Sequence, residues 1–346
     1  MKFLIDKEYL INCFKTVVSV PSPVGYYVKL KPVLECLAAE QGRKITYDNR
    51  NTAYIYLEGE NRSKKVLIGA HADTLGFAVR GIDSNGQLLL RRLGGGCIPS
   101  VEGESVTVHT RDGREYTGLI ICTSHSTHVF DDAHTLERNE NTIRVLLDED
   151  VHSKQDVKAL GIQNGDFVSV EPRAQITENG YLKSRYIDDK GGIACCFAAL
   201  KYLNDNRLKP KYDSIFAFPY YEELGLGGTF VPTGVSEYVA VDIGLIGPEL
   251  DGDERKVSIC AKDAATPYDI ELTNRLIKLA KKAECDYALD VFYRYGTDAS
   301  AAMRAGNDLR IGAFGMAVYC SHGRERTHID GLSATAELLL AYMLDI

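Results

Sequence analysis

Two stretches in which helices and strands follow one another, separated by a stretch of short β-like runs, constrain the fold of this chain most. After Asp188 the predicted helices and strands alternate up to a last helix at residues 334–344. Before residue 77 two helical patterns precede two apolar strand runs, the second at residues 66–70. Strands that alternate with helices form a sheet that is covered on both faces. The sequence therefore predicts an α/β fold with a mixed sheet sandwiched by helices.

Residues 77–181 have a different character. Their β-like runs are short and separated by Gly, Asn and Asp turns, and they contain a single helical signal, after Ser153. We therefore expect one α/β domain, residues 1–76 and 182–346, interrupted by an inserted β-barrel-like domain at residues 77–181. A length of 346 residues agrees with two domains at about 150 residues each.

Composition and charge exclude several classes of protein. The formal charge of −8 has the wrong sign for a partner with a phosphate backbone, so nucleic acid is not expected. The apolar runs are much shorter than the about 18 residues that a membrane span needs, and Lys2 and Asp6 interrupt any signal-peptide core. We therefore expect a cytoplasmic protein without membrane contact. The nine scattered cysteines contain no CxxC pair and predict neither a disulfide framework nor a thiolate zinc site.

Polar side chains follow the predicted strands at the points where these strands end. In open α/β sheets ligands bind beyond the carboxyl ends of the strands, so side chains at these positions are candidates for chemistry. A further acidic pair, Asp188-Asp189, stands at the start of a predicted helix. The candidates at strand ends are His71 with Asp73, the pair Glu222-Glu223, Asp242 and His322.

These candidates together predict a site for two metal ions. Carboxylates crowded at one sheet edge repel one another unless cations are present. Mixed histidine and carboxylate ligands suit zinc, with cobalt or manganese possible, and a shared carboxylate is typical of two-metal hydrolases. We interpret Glu222-Glu223 as an extended segment whose side chains point to opposite sides, so that one binds metal and the other is free for acid–base work.

Each candidate also has a structural interpretation. Asp188-Asp189 could cap a helix, a single histidine after a strand is usually a core residue, and an acidic strand end can be simply solvated. Asp298 could support the pocket or cap a helix. The loop cluster of His125, His128 and His134 lacks a strand end beside it, and an ordinary turn is the better interpretation.

At this point the chain resembles the co-catalytic metallo-aminopeptidases of the glutamyl aminopeptidase and tetrahedral TET type, which also carry deblocking aminopeptidase and old endoglucanase labels. The resemblance extends over nearly the whole chain and rests on the order and spacing of its motifs. The motifs are Pro21-Ser-Pro-Val-Gly25, Gly69-Ala-His-Ala-Asp73, Leu160-Gly-Ile-Gln-Asn-Gly-Asp166, Asp188-Asp-Lys-Gly-Gly192, Glu222-Glu-Leu-Gly225, Val241-Asp242, Gly296-Thr-Asp-Ala299 and the late His322.

The resemblance implies a role for each ligand. Asp188 would bridge the two ions. His71 and Asp242 would complete one metal site, and Glu223 and His322 the other. It also implies a cis peptide bond between Asp188 and the residue after it.

The resemblance further implies that Glu222 is the general base and that Asp73 orients the imidazole of His71. The chain departs from the family pattern at Thr74, where an acid is usual, and at Gly323-Arg324, where Ser-Pro or Thr-Pro is usual. The second departure affects the position of the last ligand, for which His328 is the alternative.

The activity implied is that of a metal-dependent aminopeptidase that acts on peptides with a free N-terminus. The resemblance implies that the insert is a dimerisation domain and that six dimers form a hollow homo-dodecamer. The alternatives are a carboxypeptidase or N-acyl amino acid deacylase with a similar ligand order, a glycosidase that uses Glu222 and Glu223, and a shell protein without turnover. Adjacent strand residues cannot flank a glycosidic bond at about 5 to 9.5 Å, which disfavours the glycosidase.

Overall fold

The computed structural model describes residues 2–346, which form two compact units. One unit, here called the α/β unit, contains the residues up to Asp73 together with Arg173–Ile346. The other, the barrel unit, contains Thr74–Pro172. The α/β class and the inserted all-β domain predicted from the sequence are confirmed.

The helices follow the predicted apolar spacing. In the first of them Leu10, Phe14 and Val17 lie on one buried face, and the side chain of Asp6 caps the helix by accepting a hydrogen bond from the backbone N–H of Tyr9. Within residues 2–346 the helices are α1 (Lys7–Val18), α2 (Leu30–Glu40), α3 (Lys154–Ala159), α4 (Ile187–Asp205), α5 (Ile270–Lys282), α6 (Asp298–Arg304) and α7 (Ile329–Leu344).

The strands fall into one large sheet, one small sheet and one barrel. In chain order they are β1 (Thr46–Tyr47), β2 (Ala53–Leu57), β3 (Asn61–Gly69), β4 (Gly76–Ile82), β5 (Leu88–Leu93), β6 (Ser105–His109), β7 (Glu115–Cys122), β8 (Ile143–Leu147), β9 (Phe167–Val170), β10 (Gln175–Ile176), β11 (Tyr181–Ser184), β12 (Tyr212–Phe218), β13 (Val235–Val241), β14 (Gly244–Leu245), β15 (Val257–Lys262), β16 (Tyr287–Val291), β17 (Arg310–Val318) and β18 (Glu325–His328).

The large sheet has the order β1-β2-β12-β3-β13-β17-β15-β16, with β14 paired to β17. Its pairs include parallel ones, such as β3 with β12 and with β13, and antiparallel ones, such as β15 with β17. The sheet is therefore mixed, as predicted.

Helices cover both faces of this sheet. Phe218 stacks on Phe197 of α4 with 5.6 Å between the ring centroids. Its neighbour Ala217 belongs to a buried cluster with Ala299 and Ala302 of α6. Because successive strand residues point to opposite faces, α4 and α6 lie on opposite sides of the sheet.

The parallel strands β3, β12, β13 and β17 end at one edge of the sheet. The segments that follow them contain the predicted site residues, and α4 begins beside them. This shared edge is the physical reason why residues distant in the chain can meet.

The barrel unit is closed in the order β4-β5-β8-β7-β6-β9. Its interior is apolar and includes Val79, Leu90 and Val108. Helix α3 begins after Ser153, whose side chain accepts a hydrogen bond from a backbone N–H of the first turn, as predicted.

Several elements differ from the expectations, among them the last helix and one strand of the small sheet. Helix α7 begins at Ile329 and not at residue 334, because the side chain of His328 caps it by accepting a hydrogen bond from the backbone N–H of Asp330. Strand β18 was not predicted, and it joins β10 and β11 in a small antiparallel sheet. Among residues 2–346, no helix is long and apolar enough to cross a membrane.

Candidate metal centre

The predicted site residues of the distant segments meet at the strand edge of the α/β unit. One carboxylate oxygen of Asp188 lies 2.8 Å from Nε2 of His71, and the other lies 3.5 Å from Nε2 of His322. The same nitrogen of His322 lies 3.5 Å from Oε2 of Glu223. Asp188 is therefore the residue that stands between two groups of candidate ligands.

Two sets of donor atoms are close enough to hold metal ions. One consists of His71, Asp189 and Asp242, the other of His71, Asp188 and Glu223, and in each set the donor atoms lie within 4.8 Å of one another. Donor atoms about 2.0–2.2 Å from a tetrahedral zinc ion are about 3.3–3.6 Å apart, which agrees with the two 3.5 Å distances at His322.

Asp73 organises this centre through two kinds of contact. Its backbone carbonyl lies 3.0 Å from Nδ1 of His71, and its carboxylate oxygen lies 3.6 Å from the same nitrogen. The carboxylate accepts hydrogen bonds from the backbone N–H groups of Glu222 and Glu223, each at 3.1 Å. Asp73 thus contacts the imidazole and also positions the acidic pair.

The expected extended conformation of the acidic pair is wrong. Glu222–Leu224 form a 3-10 turn, because the chain bends where the carboxylate of Asp73 binds two consecutive backbone N–H groups. The side chains of Glu222 and Glu223 are largely buried, with 13% and 3% of their surface exposed. One oxygen of Glu222 lies 3.9 Å from Nε2 of His71, so this residue faces the centre.

Two neighbours of Asp188 support the centre without having been assigned a role from the sequence. Asp189 accepts hydrogen bonds from the backbone N–H groups of His71, at 3.1 Å, and of Gly192, at 3.0 Å. The buried Lys190 donates to Oγ of Ser22 and to the carbonyl oxygen that precedes Asp73. The peptide bond between Asp188 and Asp189 is cis, as predicted.

Asp298 also lies at the centre. Thr297 caps α6 through a capping box with Ser300, so the alternative in which Asp298 is the cap is wrong. Asp298 is buried and accepts a hydrogen bond from the backbone N–H of Gly228. One of its oxygens has no hydrogen-bond partner within residues 2–346.

Burial and mutual repulsion shift the pKa values of the carboxyl groups at this centre. Burial, followed by the charge of Asp188, raises the pKa of Glu223 to about 8 and that of Asp242 to about 7. Burial would also raise the pKa of Asp188, but hydrogen bonds from His322 and His71 lower it. Burial opposes the charge on His71, but its hydrogen bonds to Asp188 and Asp73 raise its pKa. Cations would relieve the repulsion that separates these pKa values.

The donor set therefore fits divalent metal ions. The second oxygen of Glu223 is buried and has no hydrogen-bond partner in the described part of the chain. A buried carboxylate oxygen without a partner is costly unless a cation neutralises it. Imidazole and carboxylate are ligands that zinc, cobalt and manganese accept.

The other histidines have different surroundings. Nε2 of His328, the alternative ligand, lies 2.7 Å from the carbonyl oxygen of Asn179, and the same side chain caps α7. His125, His128 and His134 are exposed and belong to neither set of candidate donors.

A buried cluster of histidines and carboxylates at the strand edge of a mixed sheet is typical of a metal-dependent hydrolase. The sequence matches the M42 glutamyl aminopeptidase family over residues 51–338, and the chain belongs to this family.

Relatives and solved structures agree with this assignment. The chain is 39% identical over 334 residues to "Putative aminopeptidase YhfE" of Bacillus subtilis (strain 168), with 96% of each chain covered. Aminopeptidase APDkam598 from Desulfurococcus kamchatkensis is similar in structure, with a TM-score of 0.87, 22% identity and 98% and 96% of the two chains covered. The TET1 peptidase of Pyrococcus horikoshii has a TM-score of 0.85 at 23% identity, with 97% and 100% covered. These two likenesses show the fold.

The chain is therefore a metal-dependent aminopeptidase, as the sequence predicted. The family assignment favours this activity over the carboxypeptidase, deacylase and glycosidase alternatives.

Proposed function

We propose that this aminopeptidase uses two divalent ions held at the candidate metal centre, zinc before cobalt or manganese, with Asp188 as the bridging ligand. His71 and Asp242 would complete one metal site, and Glu223 and His322 the other. The observation that carries the proposal is the position of Asp188, whose two carboxylate oxygens face different histidines at 2.8 Å and 3.5 Å.

Glu222 is proposed as the general base and acid. Bound cations would supply a nucleophilic water near neutral pH, since they lower the pKa of water from about 15.7 to about 7. Glu222 would take the proton of the attacking water and return it to the amide nitrogen that leaves. Asp73 would hold Glu222 in place through its backbone N–H. The surrounding acids would attract the ammonium group of the first residue, which restricts cleavage to free N-termini.

Removal and return of metal test this function. Metal is removed with a chelator, and the chelator is then removed by dialysis. The metal-free protein should hydrolyse aminoacyl p-nitroanilides at less than about 1% of the rate of the metal-loaded protein. Addition of Zn²⁺, Co²⁺ or Mn²⁺ should restore the activity as uptake approaches two equivalents per chain, measured by elemental analysis. Unchanged hydrolysis after chelation would contradict the proposal.

The pocket beside the centre favours substrates with an acidic first residue. Its volume is about 490 Å³, and Arg294 and Arg304 line it together with the acids of the centre. Both arginines are exposed and make no ion pair with an acid within residues 2–346. Nη2 of Arg304 lies 3.6 Å from the position that a Cβ on Gly225 would occupy, so it lies over the turn that carries the acidic pair. An unpaired guanidinium at this place can bind a substrate carboxylate.

Substitution of one arginine measures this preference. Arg304→Gln should reduce kcat/KM for a glutamyl substrate by about 3- to 10-fold and leave a leucyl substrate nearly unchanged, because the guanidinium is exposed and its contact with a carboxylate is partly screened. Arg62→Gln, which removes an exposed charge elsewhere in the α/β unit, is the matched control. Equal effects on both substrates would exclude recognition of the acidic side chain by Arg304.

The barrel unit is proposed as a dimerisation domain from which a homo-dodecamer assembles. Leu119 and Leu146 are directly opposite each other on β7 and β8, and each remains 39% exposed. Such an apolar pair on the outside of a barrel suits contact with a second copy. The proposal is also supported by the solved TET1 peptidase of Pyrococcus horikoshii, which can assemble into a tetrahedron or a large octahedral shell. The cytoplasmic location expected from the sequence stays a prediction.

A further inference from the structure

We infer that Glu325 is a positioning residue that fixes two metal ligands, Asp188 and His322, by binding their backbone N–H groups. The inference rests on the proposed ligand set and adds a residue to which the sequence pattern assigned no role. Oε2 of Glu325 accepts a hydrogen bond from the backbone N–H of Asp188 at 3.1 Å. Oε1 accepts one from the backbone N–H of His322 at 3.3 Å.

The location of Glu325 explains how one side chain reaches both ligands. Glu325 begins β18 and is paired with Ser184 at the end of β11. Strand β11 leads into the segment with Asp188, and β18 follows the turn with His322. The small sheet therefore places these two chain segments side by side, and the carboxylate of Glu325 connects them. Only 1% of the surface of Glu325 is exposed, so water does not compete for these contacts.

The backbone around His322 has an unusual conformation to which this contact adds support. His322 has φ of 62° and Cys320 has φ of 58°, values in the left-handed region that residues other than glycine adopt rarely. The surrounding structure must hold a non-glycine residue in this conformation. The turn lacks the Ser-Pro or Thr-Pro pair that the family pattern places after the last ligand and has Gly323-Arg324 instead. The carboxylate of Glu325 supplies a fixed acceptor for the N–H of His322.

Loss of the contacts with Glu325 should affect the two proposed metal sites to different extents. His322 belongs to the proposed site with Glu223, whereas His71 and Asp242 are held by other contacts. The backbone N–H of His71 binds Asp189, and that of Asp242 binds the carbonyl oxygen of Phe314. Loss of the Glu325 carboxylate should therefore weaken one of the two metal equivalents more than the other.

The test is the metal affinity of Glu325→Gln, in which an amide nitrogen replaces one of the two acceptor oxygens. Zn²⁺ uptake is measured by competition with a chelator of known affinity. Wild type should bind two equivalents. In the variant the site with His322 and Glu223, which loses the support of both Asp188 and His322, should bind about 10- to 100-fold more weakly, and the site with His71 and Asp242, which shares only Asp188, should be weakened by no more than about 3-fold. Glu254→Gln is the control, because Glu254 is a glutamate with only 13% of its side chain exposed, but it pairs with Arg326 and contacts no ligand. It should bind two equivalents as wild type does.

Other outcomes separate this inference from the proposed function. Two equivalents at wild-type affinity in Glu325→Gln would overturn the inference and leave the metal centre intact. Equal weakening of both equivalents, with a lower melting temperature of the metal-free protein, would show a general folding role and also overturn it. Absence of metal uptake by wild type would reject the proposed function, and the inference with it.

A second variant covers the case in which Glu325→Gln does not fold. Glu325→Asp keeps the charge but shortens the reach by one methylene, so that the side chain cannot contact both N–H groups. It should also weaken binding at the site with His322 and Glu223, and the visible spectrum of the Co²⁺-loaded protein should differ from that of wild type. Wild-type affinity and spectrum in this variant would contradict the inference.

Discussion

Glu222→Gln is expected to bind two divalent ions per chain and to hydrolyse aminoacyl p-nitroanilides at least about 100-fold more slowly than wild type. The amide keeps the shape of the side chain but cannot take a proton from water. Glu222 is not among the proposed metal ligands, and its backbone remains held by Asp73. The measurement is kcat at saturating metal, together with the metal content of the same sample.

The control for this variant is Glu271→Gln, which changes an exposed glutamate that pairs with Arg310. Its kcat should equal that of wild type. Full activity of metal-loaded Glu222→Gln would show that another residue acts as the base. Loss of a metal equivalent in this variant would instead indicate that Glu222 is a ligand.

Asp188→Asn is expected to lose tight binding of both ions and to reduce the activity by a factor on the order of 1,000 or more. An asparagine presents one oxygen and one amide nitrogen, so it cannot place a carboxylate oxygen toward each of the two sites. The wild-type residue faces His71 with one oxygen and His322 with the other. Metal uptake and kcat are measured on protein whose folding is confirmed by circular dichroism.

Asp290→Asn is the control for Asp188→Asn. Asp290 is also buried and accepts hydrogen bonds from Oγ of Ser258 and the backbone N–H of Asp251, but it is not a proposed ligand. Its metal uptake should remain at two equivalents. If Asp188→Asn bound two ions as tightly as wild type, the bridging role of Asp188 would be wrong.

The strands that carry the candidate site could be predicted because the sequence patterns that indicate them lie within a few consecutive residues. The apolar runs before His71 and Asp242 are interior strands of a mostly parallel region, and a polar residue after such a run lies at the sheet edge. The acidic pair at Glu222-Glu223 was predicted to contribute, but its conformation was wrong. The 3-10 turn depends on the carboxylate of Asp73, which is distant in sequence.

The residues that support the proposed ligands could not be predicted, because their contacts are also with residues that are distant in sequence. The acceptors for the backbone N–H groups of Asp188 and His322 depend on the pairing of β11 with β18, two strands of four residues each that carry little periodic signal. Lys190 stands within the motif at residues 188–192, but only the fold shows that it is buried against Ser22. Such contacts are tertiary, and local propensity does not encode them.

The order of the proposed ligands along the chain has a consequence for biosynthesis. The first of them is residue 71 and the last is residue 322, with the barrel unit between the first and the second. A ribosome synthesises the chain from its N-terminus, so the nascent polypeptide lacks a complete set of ligands until residue 322 has been added. Translation products that stop before residue 322 should therefore be inert as peptidases, and proteolytic capacity should arise only after this residue has been synthesised.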